Sequence, residues 1–280
     1  MVIAVDFRRY DSVGAFREDV LGLLMENEAD NNIFISRLTE GSTNNTGDWL
    51  MATIVDNGSI SLAALCSKPF NLLLYDAGGN RSSAVDELAR EIRRAGYSIP
   101  GVLAESGLAR RFADAYCPKG KGRLHISMVA MTLHRLSTYE KAPGSFREIG
   151  EHDMFYVPFW EHAFGEDCRV HVFSIPEVTD RIKARLGKGT HFIWEDGNPV
   201  SQAVHGRSTP NGAIINMVYT PPHYRGRGYA TSVVGELTRK LLGRGKAFCA
   251  LFADAENPIS REIYNKLGYR DICTYDDIRF

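Results

Sequence analysis

The sequence has almost no charge imbalance: 33 Lys and Arg stand against 34 Asp and Glu over 280 residues, a formal net charge of -1. A nucleic-acid partner calls for a basic excess and a disordered acidic tail for the opposite, and neither is there. No C-x-x-C pair occurs among the five cysteines, Cys66, Cys117, Cys168, Cys249 and Cys273, and their number is odd. This excludes a disulfide framework and fits reduced thiols packed as small apolar residues in a cytoplasmic protein. No apolar run reaches 18 residues, so no membrane span is expected. The opening MVIAVDFRRY meets charge by Asp6 and lacks the apolar stretch of a signal peptide. Asn44-Asn45-Thr46 fits a glycosylation sequon, which means little without such a signal. The eight histidines show no metal-ligand spacing, and no metal site is expected.

What is present suffices for two cores. The chain is 44% hydrophobic and 10% aromatic, and its length exceeds the usual single domain. Val13, Phe16, Val20, Leu23 and Leu24 recur at helical spacing. The polar stretch 41–48 reads as a loop. A hairpin signal follows, with runs at Trp49–Val55 and Ile60–Cys66 joined by Asp56-Asn57-Gly58. Phe70–Tyr75 is a third apolar run, and Gly78-Gly79-Asn80 leads into a helix with Val85, Leu88, Ala89 and Ile92 on one face. A strand at Gly101–Ala104, a helix at Leu108–Tyr116 and a strand at Leu124–Leu133 complete this half.

Residues 137–151 are polar, contain a Pro-Gly and lack clean periodicity. They divide the chain into an expected domain at 1–138, a linker at 139–151 and a second domain at 152–280. The second half repeats the order of the first. Helices are expected at Asp153–Phe164 and Glu177–Leu186, and strands at His191–Glu195, Val200–His205 and Ala213–Tyr219. A helix at Gly228–Leu242, a strand at Ala247–Ala253, a helix at Asn257–Leu267 and a last strand at Ile272–Phe280 follow. The shared order implies a structural duplication.

One segment carries chemistry. An apolar strand ends near Thr220, a loop holds Pro221 and Pro222, and Arg225-Gly226-Arg227-Gly228-Tyr229-Ala230 opens a helix. A helix start has unpaired N–H groups and the positive end of the dipole, so it favours an anion such as a pyrophosphate. A Cβ at Gly226 or Gly228 would hold a phosphate off the backbone, while Arg225 and Arg227 add donors suited to phosphate oxygens. The segment is neither the dinucleotide fingerprint nor the NTPase phosphate loop.

The arrangement resembles the GNAT superfamily of N-acetyltransferases, whose signature Q/R-x-x-G-x-G/A is met by Arg225, Gly228 and Ala230. The ending N-P-x-S-x-x-x-Y-x-x-x-G-Y is met by Asn257, Pro258, Ser260, Tyr264, Gly268 and Tyr269. These motifs cover about residues 190–280, and the whole is similar to tandem GNAT proteins with a degenerate N-terminal half. The resemblance implies an α+β fold of two GNAT-like domains, each a mixed, mostly antiparallel twisted sheet flanked by helices. It implies acetyl-CoA as co-substrate and a small-molecule or peptide amine as acceptor, acetylated by direct attack in a ternary complex. The alternative is a non-catalytic acyl-CoA-binding module with a sensing or interaction role.

The same resemblance gives the matched positions their parts. Val218, Tyr219 and Thr220 would offer backbone groups to the thioester and the pantetheine arm. Arg225, Gly226, Arg227, Gly228, Tyr229 and Ala230 would hold the pyrophosphate, and Asn257 the pantetheine arm. Tyr264 would protonate the leaving thiolate, and on a helix from Asn257 it shares a face with Asn257 and Ser260. An amine must be neutral to attack. His205 or Glu195, on strands before the cofactor strand, are the candidate bases. The first half carries no R-x-x-G-x-A after its glycines and is expected not to bind acetyl-CoA.

Overall fold

A computed structural model describes residues 5–41, 47–78, 81–117 and 121–280. The sequon Asn44-Asn45-Thr46 and the pair Gly79-Asn80 lie outside these. The described chain divides into two compact units, residues 1–129 with 273–280, and residues 130–272.

In the first unit the elements are β1 (Val5–Arg9), α1 (Val13–Met25), α2 (Asn32–Gly41), β2 (Leu50–Asp56), β3 (Ser59–Cys66), β4 (Leu72–Asp76), α3 (Arg81–Arg94), β5 (Gly101–Glu105), α4 (Ser106–Tyr116) and β6 (Arg123–Leu133, in part). β1 to β4 pair antiparallel in order, and β4 runs parallel to β5. Both faces of the sheet are buried. Leu50 and Ile54 of β2 pack with Val85, Leu88 and Phe112, while Met51 between them packs with Phe16, Val20 and Leu24. The two-residue period of the strand sorts these side chains onto opposite faces.

The second unit holds β7 (Ser145–Glu148), a 3-10 turn at Glu151–Phe155, α5 (Val157–Asp167), α6 (Ile175–Lys183), β8 (His191–Asp196), β9 (Asn198–Ser208), β10 (Gly212–Tyr219), a 3-10 turn at Pro222–Tyr224, α7 (Tyr229–Gly243), β11 (Phe248–Asp254) and α8 (Pro258–Leu267). β7, β8, β9 and β10 are antiparallel neighbours, and β10 is parallel to β11. Val157, Val178, Ile182 and Ile193 form a core under α5 and α6. α7 packs on β8, β9 and β10, with Val233, Val234, Leu237 and Leu241 buried along it.

Two expectations about domain limits are corrected. The last strand, β12 (Arg270–Arg279), belongs to the first unit from Cys273 onward, because Tyr275 to Arg279 pair antiparallel with Glu105 to Gly101 of β5. The expected linker 139–151 is built into the second unit. Ser145 to Glu148 pair with β8, the Tyr139 hydroxyl donates to Glu236 at 2.7 Å, and Trp194 Nε1 donates to the Pro143 carbonyl at 2.8 Å. Its polarity serves hydrogen bonds to side chains and backbone, which periodicity does not register.

Candidate active site

The β10/β11 pair opens along its length. Parallel pairing runs from Gly212↔Phe248 only to Ile214↔Ala250, leaving residues 215–219 and 251–254 without ladder partners in each other. On the other side, β10 slips register against β9 between Ile214 and Ile215 and again between Asn216 and Tyr219. Met217 sits within the second slip at φ 52°, a left-handed conformation that costs a branchless side chain about 1 kcal/mol. The result is a bulge at the mouth of a splay, where Met217 and Val218 have no register partner in β9. Val218, Tyr219 and Thr220 lie here, with Ser201 Oγ 2.8 Å from Thr220 Oγ1.

The chain then turns through Pro222–Tyr224 into α7. Gly226 and Gly228 have φ of 78° and 77°, and Gly228 caps the helix in the left-handed conformation. Glycine is required there by the backbone itself, in addition to any need for phosphate to approach. The first α7 bond to form runs from Ser232 N–H to the Gly228 carbonyl, so the amides before it point away from the helix without a carbonyl behind them. Residues 225–228 are exposed. Arg225 donates from Nε to the Thr220 carbonyl at 2.9 Å and from its guanidinium to Asp167 at 2.7 Å. The Tyr229 hydroxyl donates to Asp196 at 2.6 Å.

Past β11, Asn257 caps α8 by accepting from Ser260 N–H at 3.2 Å. Tyr264 follows on that helix, buried, with its ring edge-on to Tyr269 at 6.0 Å. Tyr269 is pinned by a 2.7 Å bond to Thr238 of α7, whereas the Tyr264 hydroxyl makes no hydrogen bond among the described residues. Burial pushes the Tyr264 pKa up, with a further push from Cys168. The C-terminal end of α5 therefore reaches this place. Asp167 holds Arg225, Arg169 holds Asp254 and Glu256 at 3.0 and 3.1 Å, and Cys168 between them has its thiol pushed up to about 11 by burial. Sequence reading missed this strap, because its partners lie 58 to 87 positions away.

Both candidate bases have other partners. His205 lies in the field of Lys246 and Arg244, the residues that lead into β11, and its ring bonds Ser208 at 2.9 Å; Tyr264 follows the opposite end of β11. Glu195 is bound by Arg147, which also holds the buried Asp153. Alternation along a strand shows which residues share a face, and it does not show which partners they take across the sheet. Among the described residues no cluster of His, Cys, Asp or Glu has the makings of a metal site.

The first unit has its own opening. β4 and β5 pair only at Leu72↔Val102 and Leu73↔Leu103. Beyond lies a cavity of about 200 Å³ whose lining includes Asp30, Asp76 and Glu105 and no basic side chain. Burial pushes the Asp30 carboxyl up.

Residues 196–277 match a family model described as FR47-like protein. No curated protein matches the chain. In structure it is similar to a GCN5-related N-acetyltransferase from Sphaerobacter thermophilus, with 16% identity over 99% of this chain and 95% of that one, at a TM-score of 0.67. It is also similar to an acetyltransferase of the GNAT family from Colwellia psychrerythraea, with 12% identity over 98% and 100% of the two chains and a TM-score of 0.58. A tandem GNAT protein from the clavulanic acid biosynthesis pathway gives 12% identity, 98% coverage of both chains and a TM-score of 0.57. The chain thus has an α+β fold of mixed, mostly antiparallel sheet with helices. That fold is the GNAT acetyltransferase fold, over nearly the whole length and in the tandem layout.

Proposed function

We propose that the second unit binds acetyl-CoA in the β10/β11 splay and transfers the acetyl group to an amine by direct attack. The observation that carries this reading is the meeting, in one unit, of an opened strand pair, an Arg-Gly-Arg-Gly helix start at one lip and Tyr264 beyond the other. The amides and arginines at residues 225–230 suit a diphosphate. The backbone of Met217 and Val218, out of register with β9, suits the thioester carbonyl and the amide-rich pantetheine arm, with Asn257 on the opposite lip.

In the reaction the amine lone pair forms a bond to the thioester carbon, the C–S bond breaks, and the thiolate is protonated. Burial keeps the Tyr264 phenol protonated at neutral pH. The same burial makes a full tyrosinate costly, so the hydroxyl acts first as a hydrogen-bond donor to charge developing on sulfur. His205 is engaged by Ser208 and Glu195 by Arg147, and the proton of the acceptor amine leaves through water. The first unit is the degenerate half: three carboxylates line its opening and repel a diphosphate.

The test is CoA release from acetyl-CoA with a panel of small amines and peptide N-termini. Turnover with at least one acceptor supports the transferase. Tight acetyl-CoA binding with no turnover on any acceptor overturns it in favour of an acyl-CoA-binding module, and absence of binding overturns both.

A further inference from the structure

Behind the bulge of β10 lies a line of buried polar side chains that the proposed chemistry does not use. Gln202 of β9 and His191 of β8 are both fully buried in the middle of a sheet. An apolar residue would be the stabilising choice there, since a buried polar group gains nothing unless it is hydrogen-bonded. Gln202 Nε2 donates to the Met217 carbonyl at 3.3 Å, and Gln202 Oε1 lies 3.3 Å from His191 Nε2.

The chemistry of these groups fixes one polarity. The Met217 carbonyl only accepts, so Gln202 turns its NH₂ there and its oxygen to His191. That oxygen only accepts, so the proton of His191 is on Nε2. Burial drives the His191 pKa down to about 3, so the ring is neutral and Nδ1 is bare. Nδ1 has no hydrogen-bond partner; it faces Glu161 of α5 at 3.8 Å, and Glu161 is bound by Arg185. An unpaired buried acceptor is destabilising. The arrangement is thus poor for stability and specific in its direction, and it ends on the one β10 residue with a left-handed backbone.

We propose that Gln202, oriented by His191, is a positioning residue that holds the Met217 bulge and so presents residues 217–219 to the thioester. The proposal rests on the acetyl-CoA reading of the splay. Without the Gln202 donor, the Met217 carbonyl loses the side-chain bond that holds it, and the left-handed backbone at Met217 loses the bond that offsets its cost. The bulge is then no longer fixed, and the peptide groups of Met217 and Val218, which have no register partner in β9, sample other orientations.

Gln202→Met keeps the volume and removes both polar ends. Gln202→Glu keeps the shape and replaces the donor by a carboxylate, which regains an O–H donor once protonated. The groups facing this position are His191 from β8, Glu161 from α5 and, behind them, Arg185, Arg181 and Asp153. The readouts are amide hydrogen exchange at residues 216–219 without ligand, calorimetric binding of acetyl-CoA, and kcat. In Gln202→Met, exchange at 216–219 should rise about tenfold with β8 and β11 unchanged. Turnover should fall about ten- to a hundredfold, as for a misplaced reacting group, while acetyl-CoA affinity, set largely by the pyrophosphate, moves about threefold or less. In Gln202→Glu the exchange and turnover defects should be present at pH 8 and recede relative to wild type as the pH falls, which a general packing defect would not do. This arm stands even where Gln202→Met fails to fold. Unchanged exchange at 216–219 in both variants overturns the positioning role alone. Failure of the wild type to bind acetyl-CoA overturns the reading of the splay and the purpose assigned to the bulge with it.

Discussion

Arg225 donates to Asp167 across 2.7 Å, although both side chains are about half exposed. The arginine expected to bind phosphate is therefore engaged by a carboxylate in the free protein. Such exposed pairs contribute about 0–1 kcal/mol and weaken with salt. A diphosphate arriving at the α7 start must displace Asp167 or accept its repulsion. Asp167→Asn should therefore bind acetyl-CoA about two- to fivefold more tightly at low ionic strength, with the gain shrinking at high salt. Calorimetry at two salt concentrations measures this; equal or weaker binding by the variant removes Asp167 as a competitor.

The left-handed backbone of Gly228 gives a second prediction. Gly228→Ala adds a Cβ whose nearest neighbour is the Ala142 methyl at 3.7 Å, so space is not the obstacle. The φ of 77° alone should lower stability by about 1 kcal/mol. If the amides from Gly228 onward hold the pyrophosphate, acetyl-CoA affinity should fall by more than the roughly fivefold that about 1 kcal/mol represents, about tenfold or greater. Parallel melting and binding curves separate the two. A loss of affinity no larger than the loss of stability would move the phosphate site elsewhere.

The acidic opening of the first unit predicts a single coenzyme site. Titration with acetyl-CoA should saturate at one equivalent per chain. Asp30→Asn with Asp76→Asn, which lowers the negative charge of that cavity, should leave the stoichiometry at one. A second equivalent in the wild type would show that the carboxylates of the first unit do not exclude a diphosphate.

Much of this site is legible in the sequence, and the illegible part has a physical reason. Glycines at 226 and 228, the Asn257 cap and the tyrosine two turns into α8 are local features, and short-range spacing specifies them. The alternating runs of β2, β3, β9 and β10 are equally plain. β1 and β7 were invisible because VDFRR and SFRE are short, charged edge strands whose partners supply the pattern. The Met217 bulge, the Asp167–Arg225 pair and the His191–Gln202 line depend on residues brought together across a sheet or between a helix and a loop, and no period along the chain encodes them. The fate of residues 273–280 was hidden for the same reason: a strand pattern shows that a strand forms and does not show which neighbour it takes.

His191 gives a pH dependence with a definite sign. Its folded-state pKa is pushed down from an ordinary 6.5 to about 3 by burial. Above pH 6.5 the ring is neutral in both states and contributes no slope. Below that the unfolded chain takes up a proton that the folded chain refuses, so stability falls as pH drops from 6.5 toward 3. The slope is at most about 1.4 kcal/mol per pH unit. His191→Gln removes the titrating group and retains a donor for Gln202. Urea unfolding at pH 7, 5.5 and 4.5 should show a steeper decline for the wild type than for the variant. Parallel declines would mean that His191 is already protonated in the fold, balanced by Glu161.

Tyr264→Phe is the sharpest test of the proposed chemistry. The ring continues to pack against Tyr269, and the hydroxyl makes no hydrogen bond among the described residues, so the fold should lose little. Acetyl-CoA affinity should also change little, because the diphosphate and the pantetheine arm bind elsewhere along the splay. What disappears is a donor to the sulfur as the C–S bond breaks. A positioned acid typically contributes about 10²–10⁴-fold, and kcat should fall toward that range together with kcat/KM. Because burial raises the Tyr264 pKa, the phenol stays protonated through the alkaline range of an ordinary assay. An alkaline limb in the wild-type kcat profile below about pH 10 therefore belongs to another group and should persist in the variant. The defect should shrink for an acyl thioester whose leaving thiol is more acidic, since a better leaving group needs less help from an acid. An unchanged kcat, in a step shown by single-turnover kinetics to be chemistry, removes Tyr264 from the mechanism. A folded variant that no longer binds acetyl-CoA assigns the hydroxyl to holding the coenzyme instead.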